Sequence, residues 1–154
     1  MSSARLEKVT RANVLDACRM QIRPEQEGTV APVAWSLAQA YVFPAEKVWP
    51  RLVYDEDQLV GFIMGGFDHG SDVEAWHSFL WRLSVAAGRQ GKGYGRFAVD
   101  ALCQEAARRG HRRLMTSWQQ HPYGPENFYL RLGFRPTGEL FHGEVLAERA
   151  LSVS

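Results

Sequence analysis

Apolar residues along this chain recur with two different periods, and the places where one gives way to the other mark its elements. RFAVDALCQEAARRG sets Val99, Leu102, Cys103 and Ala106 at i, i+3, i+4 and i+7, the stripe of an amphipathic helix that Gly110 stops. RLVYDEDQLVGFIMGG instead holds two β-rich runs, Leu52 to Tyr54 and Leu59 to Met64, joined by a polar turn at Asp55 to Gln58, and predicts a hairpin. EAWHSFLWRLSV reads as a long central strand and RRLMTSW as the next one. Near the start, RLEK predicts a short strand. VTRANVLDACRM predicts a helix capped by Thr10, with Val14, Ala17, Cys18 and Gln21 along one side. A second helix is predicted from about Val33 to Tyr41, opened by Pro32 and closed by Pro44. GPENFYLRLG predicts a short helix from around Pro125 that ends at Gly133, and two closing β segments fall at Phe134 to Gly138 and Val145 to Leu151. The order β-α-α-β-β-β-α-β-α-β-β implies an α/β (α+β) sheet, antiparallel early and with crossover helices late. With no repeat, linker or low-complexity tract, residues 1–154 read as a single domain.

Composition narrows the function classes. A formal net charge of +1 argues against a protein that coats nucleic acid, which needs a basic face to neutralise phosphates. The one basic cluster, Arg108, Arg109, Arg112 and Arg113, flanks Gly110 at a helix end, where cations suit the helix dipole. Cys18 and Cys103 form no CxxC pair and read as small core residues of a cytoplasmic protein. No apolar run approaches the length of a membrane span, and His69, His111, His121 and His142 are scattered without metal-ligand spacing, so neither a membrane nor a metal is expected.

The segment that does carry chemistry is RQGKGYG, Arg89 to Gly95. A strand that feeds a glycine-rich turn opening a helix makes an anion site, because the first N–H groups of the helix have no intrahelical partners and the dipole favours negative charge. Two nucleotide fingerprints fail here. Lys92 is followed by Gly93 rather than Ser or Thr, so a P-loop would lack its Mg²⁺ hydroxyl, and Gly91, Gly93 and Gly95 are spaced by two, unlike G-x-G-x-x-G. What fits is Q-x-x-G-x-G, formed by Gln90, Gly93 and Gly95.

With that motif, and with FYLRLGF (Phe128 to Phe134) one strand later, the sequence resembles the GCN5-related N-acetyltransferase (GNAT) family. The segments QEGTVAPVAWSLAQAY, LVGFIM, FLWRLSV and TGELFHGEVLAERAL look like its bacterial spermine, spermidine or diamine acetyltransferase subgroup. The resemblance implies the GNAT fold, acetyl-coenzyme A as co-substrate, a small-molecule amine as acceptor and a possible homodimer. It also implies that Gln90, Gly91, Lys92, Gly93, Tyr94, Gly95 and Arg96 grip the cofactor's pyrophosphate. The strand edge Leu83, Ser84 and Val85 would pair with the pantetheine arm, with a backbone N–H near Val85 facing the thioester oxygen. Asn127 and Phe128 would lie beside the cofactor as contacts.

Tyr129 is the candidate general acid, since a phenol with a pKa of about 10 stays protonated at neutral pH and can hand its proton to a thiolate. A core tyrosine beside Leu132 is the alternative. Glu27 and Glu74 are candidate bases, with His77 beside them, because the acceptor ammonium must lose a proton before attack. Glu25, Glu27, Asp68, Asp72, Glu74 and Glu144 are candidates for an acidic rim that would hold a polyamine. Trp35, Trp76, Trp81 and Trp118 read mostly as core, one or two of them as walls of an acceptor channel. Arg82, in an otherwise apolar strand, needs a partner if buried, for which Glu144 is a candidate. Other amines (an aminoglycoside, an amino acid, a protein amino terminus) stay open, as does a non-catalytic acyl-coenzyme A sensor.

Overall fold

The computed structural model describes residues 3–22 and 31–152. Its frame is a seven-stranded sheet in the order β1-β2-β3-β4-β5-β7-β6. The strands are β1 (Ala4–Lys8), β2 (Val48–Asp55), β3 (Gln58–Gly66), β4 (Phe79–Val85), β5 (Arg113–Trp118), β6 (Arg135–Phe141) and β7 (Glu144–Ala150). The helices are α1 (Val14–Arg19), α2 (Val33–Tyr41), α3 (Tyr94–Arg108) and α4 (Glu126–Arg131). The first four strands form an antiparallel meander. α3 then crosses over so that β5 lies parallel to β4, and β7 is inserted between β5 and β6.

The helical stripe read from the sequence is the packed face of α3: Val99, Leu102 and Ala106 are fully buried, with Cys103 close behind. They meet Val60, Ile63 and Leu80 of the sheet and, from the far half, Leu114, Trp118, Tyr129 and Phe134. A Cβ on Gly65 would lie 2.5 Å from the Leu102 Cδ1, so the strand has no side chain where the helix sits closest. The opposite face of the sheet carries α1 and α2 over Leu52, Phe62 and Met64.

Several sequence expectations need correction. The helix α1 begins only at Val14, because Thr10 is spent on a preceding turn: its carbonyl accepts from the N–H groups of Asn13 and Val14, and its Oγ1 from Ala12. Of that helix's predicted stripe, Ala17 alone is buried, and Cys18 is exposed rather than core. The strand predicted over EAWHSFLWRLSV is in fact a 3-10 turn at Glu74–His77 followed by β4. Trp35 is 66% exposed. Arg108 and Arg109 both bind Glu105, and Arg113 binds Glu74 and Glu148, so these members of the basic cluster are neutralised within the fold. No helix among the described residues is long and apolar enough to cross a membrane.

Candidate active site

The sheet opens in its middle. β4 and β5 register at a single pair, Phe79 with Met115, and beyond it they diverge. Two bonds close the narrow end, Met115 N–H to the Ser78 carbonyl at 2.9 Å and Thr116 Oγ1 to the Leu80 carbonyl at 3.2 Å. On its other side β4 stays paired with β3 as far as Val85, with Trp81 inserted as an extra residue opposite the step from Met64 to Gly65. Among the described residues, the splay leaves the β5-facing edge of β4 without a partner strand beyond Leu80, as far as Val85. Backbone donors and acceptors that have lost a strand need other partners, and an extended ligand arm can supply them.

A cleft of about 920 Å³ runs through this opening, lined by Leu83, Ser84, Val85, Gln90, Gly91, Gly93, Tyr94, Gly95, Arg96, Phe128 and Tyr129. These predicted site residues are therefore brought together. Lys92 and Asn127 are exposed outside the lining. Glu74 is also outside it, in an ion pair with Arg113, and the His77 ring nitrogen lies 2.7 Å from the Ser71 carbonyl. Glu25 and Glu27 lie outside the described residues. Of the remaining rim candidates, Asp68 pairs with Lys47 at 3.1 Å, and only Glu144 lines the cleft.

The loop at the cleft mouth is shaped by backbone rather than side chains. Gly91 has φ +78 and Gly93, the N-cap of α3, has φ +86, and a Cβ on either would meet no atom within 4 Å. These glycines are thus required by conformation and leave open space above the helix start. No side chain caps α3. The N–H groups of its first turn are left for an outside acceptor, with Arg89 and Arg96 in the same wall. Such a cradle fits a pyrophosphate. The Gln90 side chain acts as a brace instead, its Nε2 donating to the Val85 carbonyl at 3.1 Å and tying the loop to the end of β4. Tyr94 likewise turns inward, its hydroxyl donating to Asp55 at the end of β2. The last glycine of the motif serves packing: a Cβ on Gly95 would lie 2.9 Å from Phe128 Cζ.

Tyr129 projects from α4 into the same cleft at 7% exposure. Trp118 stacks on its ring at 5.5 Å and 11°, while Phe128 and Phe134 meet it edge-on. Trp118 is itself fixed, since its Nε1 donates to Glu126 at 3.0 Å. Burial holds the Tyr129 phenol well above its usual pKa, so it remains a protonated donor.

The other half of the cleft, on the α2 side, is walled by Trp76, Trp81 and Phe141. Arg82 is present there, but its bonded partners are the Gln39 side chain at 2.8 Å and the Trp81 carbonyl at 3.1 Å rather than Glu144. Glu144 instead accepts from Ser117 Oγ at 2.7 Å. Ser117 escaped the sequence reading; alternation along RLMTSW, with Met115 and Ser117 on the face opposite Leu114 and Trp118, is the signal that marks it.

A sheet split between parallel strands, with an anion cradle at one mouth and a buried phenol inside, is the frame of a group-transfer enzyme that draws on a phosphate-bearing donor. Comparison with known proteins makes that class specific. The family model for the acetyltransferase (GNAT) family matches residues 15–134, and the chain belongs to that family of acetyl-coenzyme A dependent N-acetyltransferases. Its fold is shared with a GNAT-family acetyltransferase from Desulfovibrio desulfuricans (TM-score 0.73, 22% identity, 98% of this chain and 99% of that one). It is also shared with the ribosomal-protein-S18-alanine N-acetyltransferase of Escherichia coli (TM-score 0.71, 13% identity, 98% and 96%). A third similar structure is the PaiA N-acetyltransferase of Thermoplasma acidophilum in complex with coenzyme A (TM-score 0.69, 12% identity, 96% and 99%). No curated protein matches the chain.

Proposed function

We propose that residues 1–154 form one cytoplasmic catalytic domain that moves acetyl from acetyl-coenzyme A to a primary amine of a small molecule, by direct attack within a ternary complex. The observation that carries the reading is the single cleft in which the free β4 edge, the positive-φ glycine loop and Tyr129 converge. Bound there, acetyl-coenzyme A would supply an activated acetyl thioester. The amides of Gly93 to Gly95 and the side chains of Arg89 and Arg96 hold the pyrophosphate. The β4 edge aligns the pantetheine arm, and a backbone N–H near Val85 steadies charge on the thioester oxygen. The Tyr129 hydroxyl releases its proton to the departing sulfur, for which a desolvated phenol held in place by Trp118 is suited.

For the acceptor, a polyamine or diamine is the class that the resembling segments spread along the chain favour, and the Glu144 carboxylate in the cleft wall supports an ammonium there. The test is release of coenzyme A thiol across spermidine, spermine, diamines, amino acids, aminoglycosides and peptides, comparing the natural chain with Tyr129→Phe. Turnover on polyamines that falls on the order of 100-fold in the variant supports the transfer, the acceptor class and the role of Tyr129 together. Turnover on another amine alone replaces the acceptor class. Binding of acetyl-coenzyme A without turnover of any amine would make the chain a sensor.

A further inference from the structure

We propose that Glu144, held in place by Ser117, receives the ammonium of the acceptor and takes its proton before attack, a role that rests on the acetyl-transfer reading of this cleft. Among the described residues that line the cleft, Glu144 is the only carboxylate, in a wall that otherwise carries Arg82, Arg89, Arg96 and Arg131. A cationic amine entering such a cleft is repelled by most of the wall and attracted at one place.

That place is built. Glu144 follows a two-residue hairpin turn in which His142 has φ 52 and Gly143 φ 80, the geometry that suits the twist of β6 and β7. The turn fixes where the carboxylate emerges. Ser117 Oγ, on the neighbouring β5, then donates to its Oε1 at 2.7 Å, which restrains the side chain and leaves Oε2 for a ligand. Both residues are half-buried. Ser117 shares a face of β5 with Met115, opposite the face that Trp118 presents to Tyr129. The proton acceptor and the proton donor thus flank the opening of the sheet from its two sides, an arrangement that lets an amine and a thioester meet between them.

The aromatic walls add the substrate chemistry. Phe141 packs against Trp76 at 5.2 Å, and Trp76 against Trp81 at 6.4 Å, so the Glu144 end of the cleft is a carboxylate beside indole and phenyl surfaces. An ammonium on an apolar stem matches it, the charge on the carboxylate and the stem on the rings. The charged and titratable groups that share this end are Arg82 from β4 and His142 from the hairpin turn. In the step itself an N–H bond of the ammonium breaks, an O–H bond forms on Glu144, and the amine is left neutral with its lone pair free. The proton passes from Glu144 to solvent in each cycle.

Two measurements test this on the intact chain. n-Butylamine, with 1-butanol as the neutral control, is titrated by calorimetry into protein saturated with desulfo-coenzyme A. The natural chain binds butylamine, Glu144→Gln binds it at least 10-fold more weakly, and butanol and acetyl-coenzyme A bind both alike. With any amine that releases thiol, kcat/KM of Glu144→Gln falls at least 100-fold at pH 7. It then climbs tenfold per pH unit, because the variant depends on amine that is already neutral, whereas the natural chain is level over that range. Ser117→Ala raises KM and keeps the shape of the natural profile. The proposal is overturned if the natural chain binds acetyl-coenzyme A but no butylamine, if Glu144→Gln binds butylamine equally well, or if the two pH profiles coincide. Failure of the acetyl-transfer reading looks different: no amine releases thiol from the natural chain, while the butylamine titration still decides the place of Glu144.

Discussion

The glycine loop can be tested by a pair of substitutions that cost the fold the same and the ligand differently. Gly93 and Gly110 stand at the two ends of α3 with φ +86 and +92, and a Cβ on either would touch nothing within 4 Å. Alanine at each position is therefore penalised by backbone conformation alone, about 1–2 kcal/mol for an L-residue held in the left-handed region. At 2–4 °C per kcal/mol for a chain of this size, both variants should melt about 2–8 °C below the natural protein. Only Gly93 adjoins the cleft. A methyl group in its open space pushes a pyrophosphate off the first-turn amides, and one or two charge-assisted hydrogen bonds lost at about 1.5–3 kcal/mol each imply at least a tenfold rise in Kd. Calorimetric titration with acetyl-coenzyme A, beside a thermal melt of each variant, reads both quantities. Equal Kd values for Gly93→Ala, Gly110→Ala and the natural chain would refute the cradle, and a large loss at Gly110 would show that affinity merely follows stability.

Other expectations follow from the same contacts. Lys92→Ala should raise the Kd for acetyl-coenzyme A only slightly, because the Lys92 side chain is exposed outside the cleft wall. Gly95→Ala must move the Phe128 ring, whose Cζ would lie 2.9 Å from the new Cβ, and should destabilise by about 1–3 kcal/mol in denaturant titration. Burial raises the Cys103 thiol to about 11, so a thiol reagent at neutral pH should label the exposed Cys18 quickly and Cys103 only after unfolding; two fast thiols in the native protein would contradict the packing of α3. Hydrogen bonds from Ser3 and then Tyr94 lower the Asp55 pKa from its ordinary 3.8. A group depressed in this way stabilises the fold above its unfolded value and loses that contribution as pH falls through the folded one, so the stability gap between the natural chain and Asp55→Asn should close below pH 3.8. A gap that does not narrow as pH falls below 3.8 would reject that link.

What was legible in the chain followed from strong local signals. α2 spans Val33–Tyr41 as read, because Pro32 starts it without needing an N–H and Pro44 lies just beyond its end. The α3 stripe and the hairpin of β2 and β3 were equally clear, the first because it buries one face of a helix and the second because its apolar runs are buried on both faces of the sheet. The loop stood out by its glycines, yet its parts divide the work in a way no motif expresses: Gly91 and Gly93 supply conformation, Gly95 makes room for Phe128, Gln90 braces β4, and Tyr94 reaches back to Asp55. Those roles depend on neighbours 33 positions away for Gly95 (Phe128) and 39 for Tyr94 (Asp55), distances over which a linear pattern carries no register. The acceptor side was less legible still. An acidic residue in a polar stretch reads the same whether it meets Arg113, as Glu74 does, or opens into a cleft, as Glu144 does. What separates them is sheet order: placing β7 rather than β6 beside β5 carries Glu144 to Ser117. Both edges of that insertion are antiparallel pairs that the sequence allows in either order. The proposed cofactor side therefore lies in a contiguous loop, and the proposed acceptor side in a choice of strand order. That difference explains why the donor of this enzyme is readable from one stretch of chain and its acceptor is not.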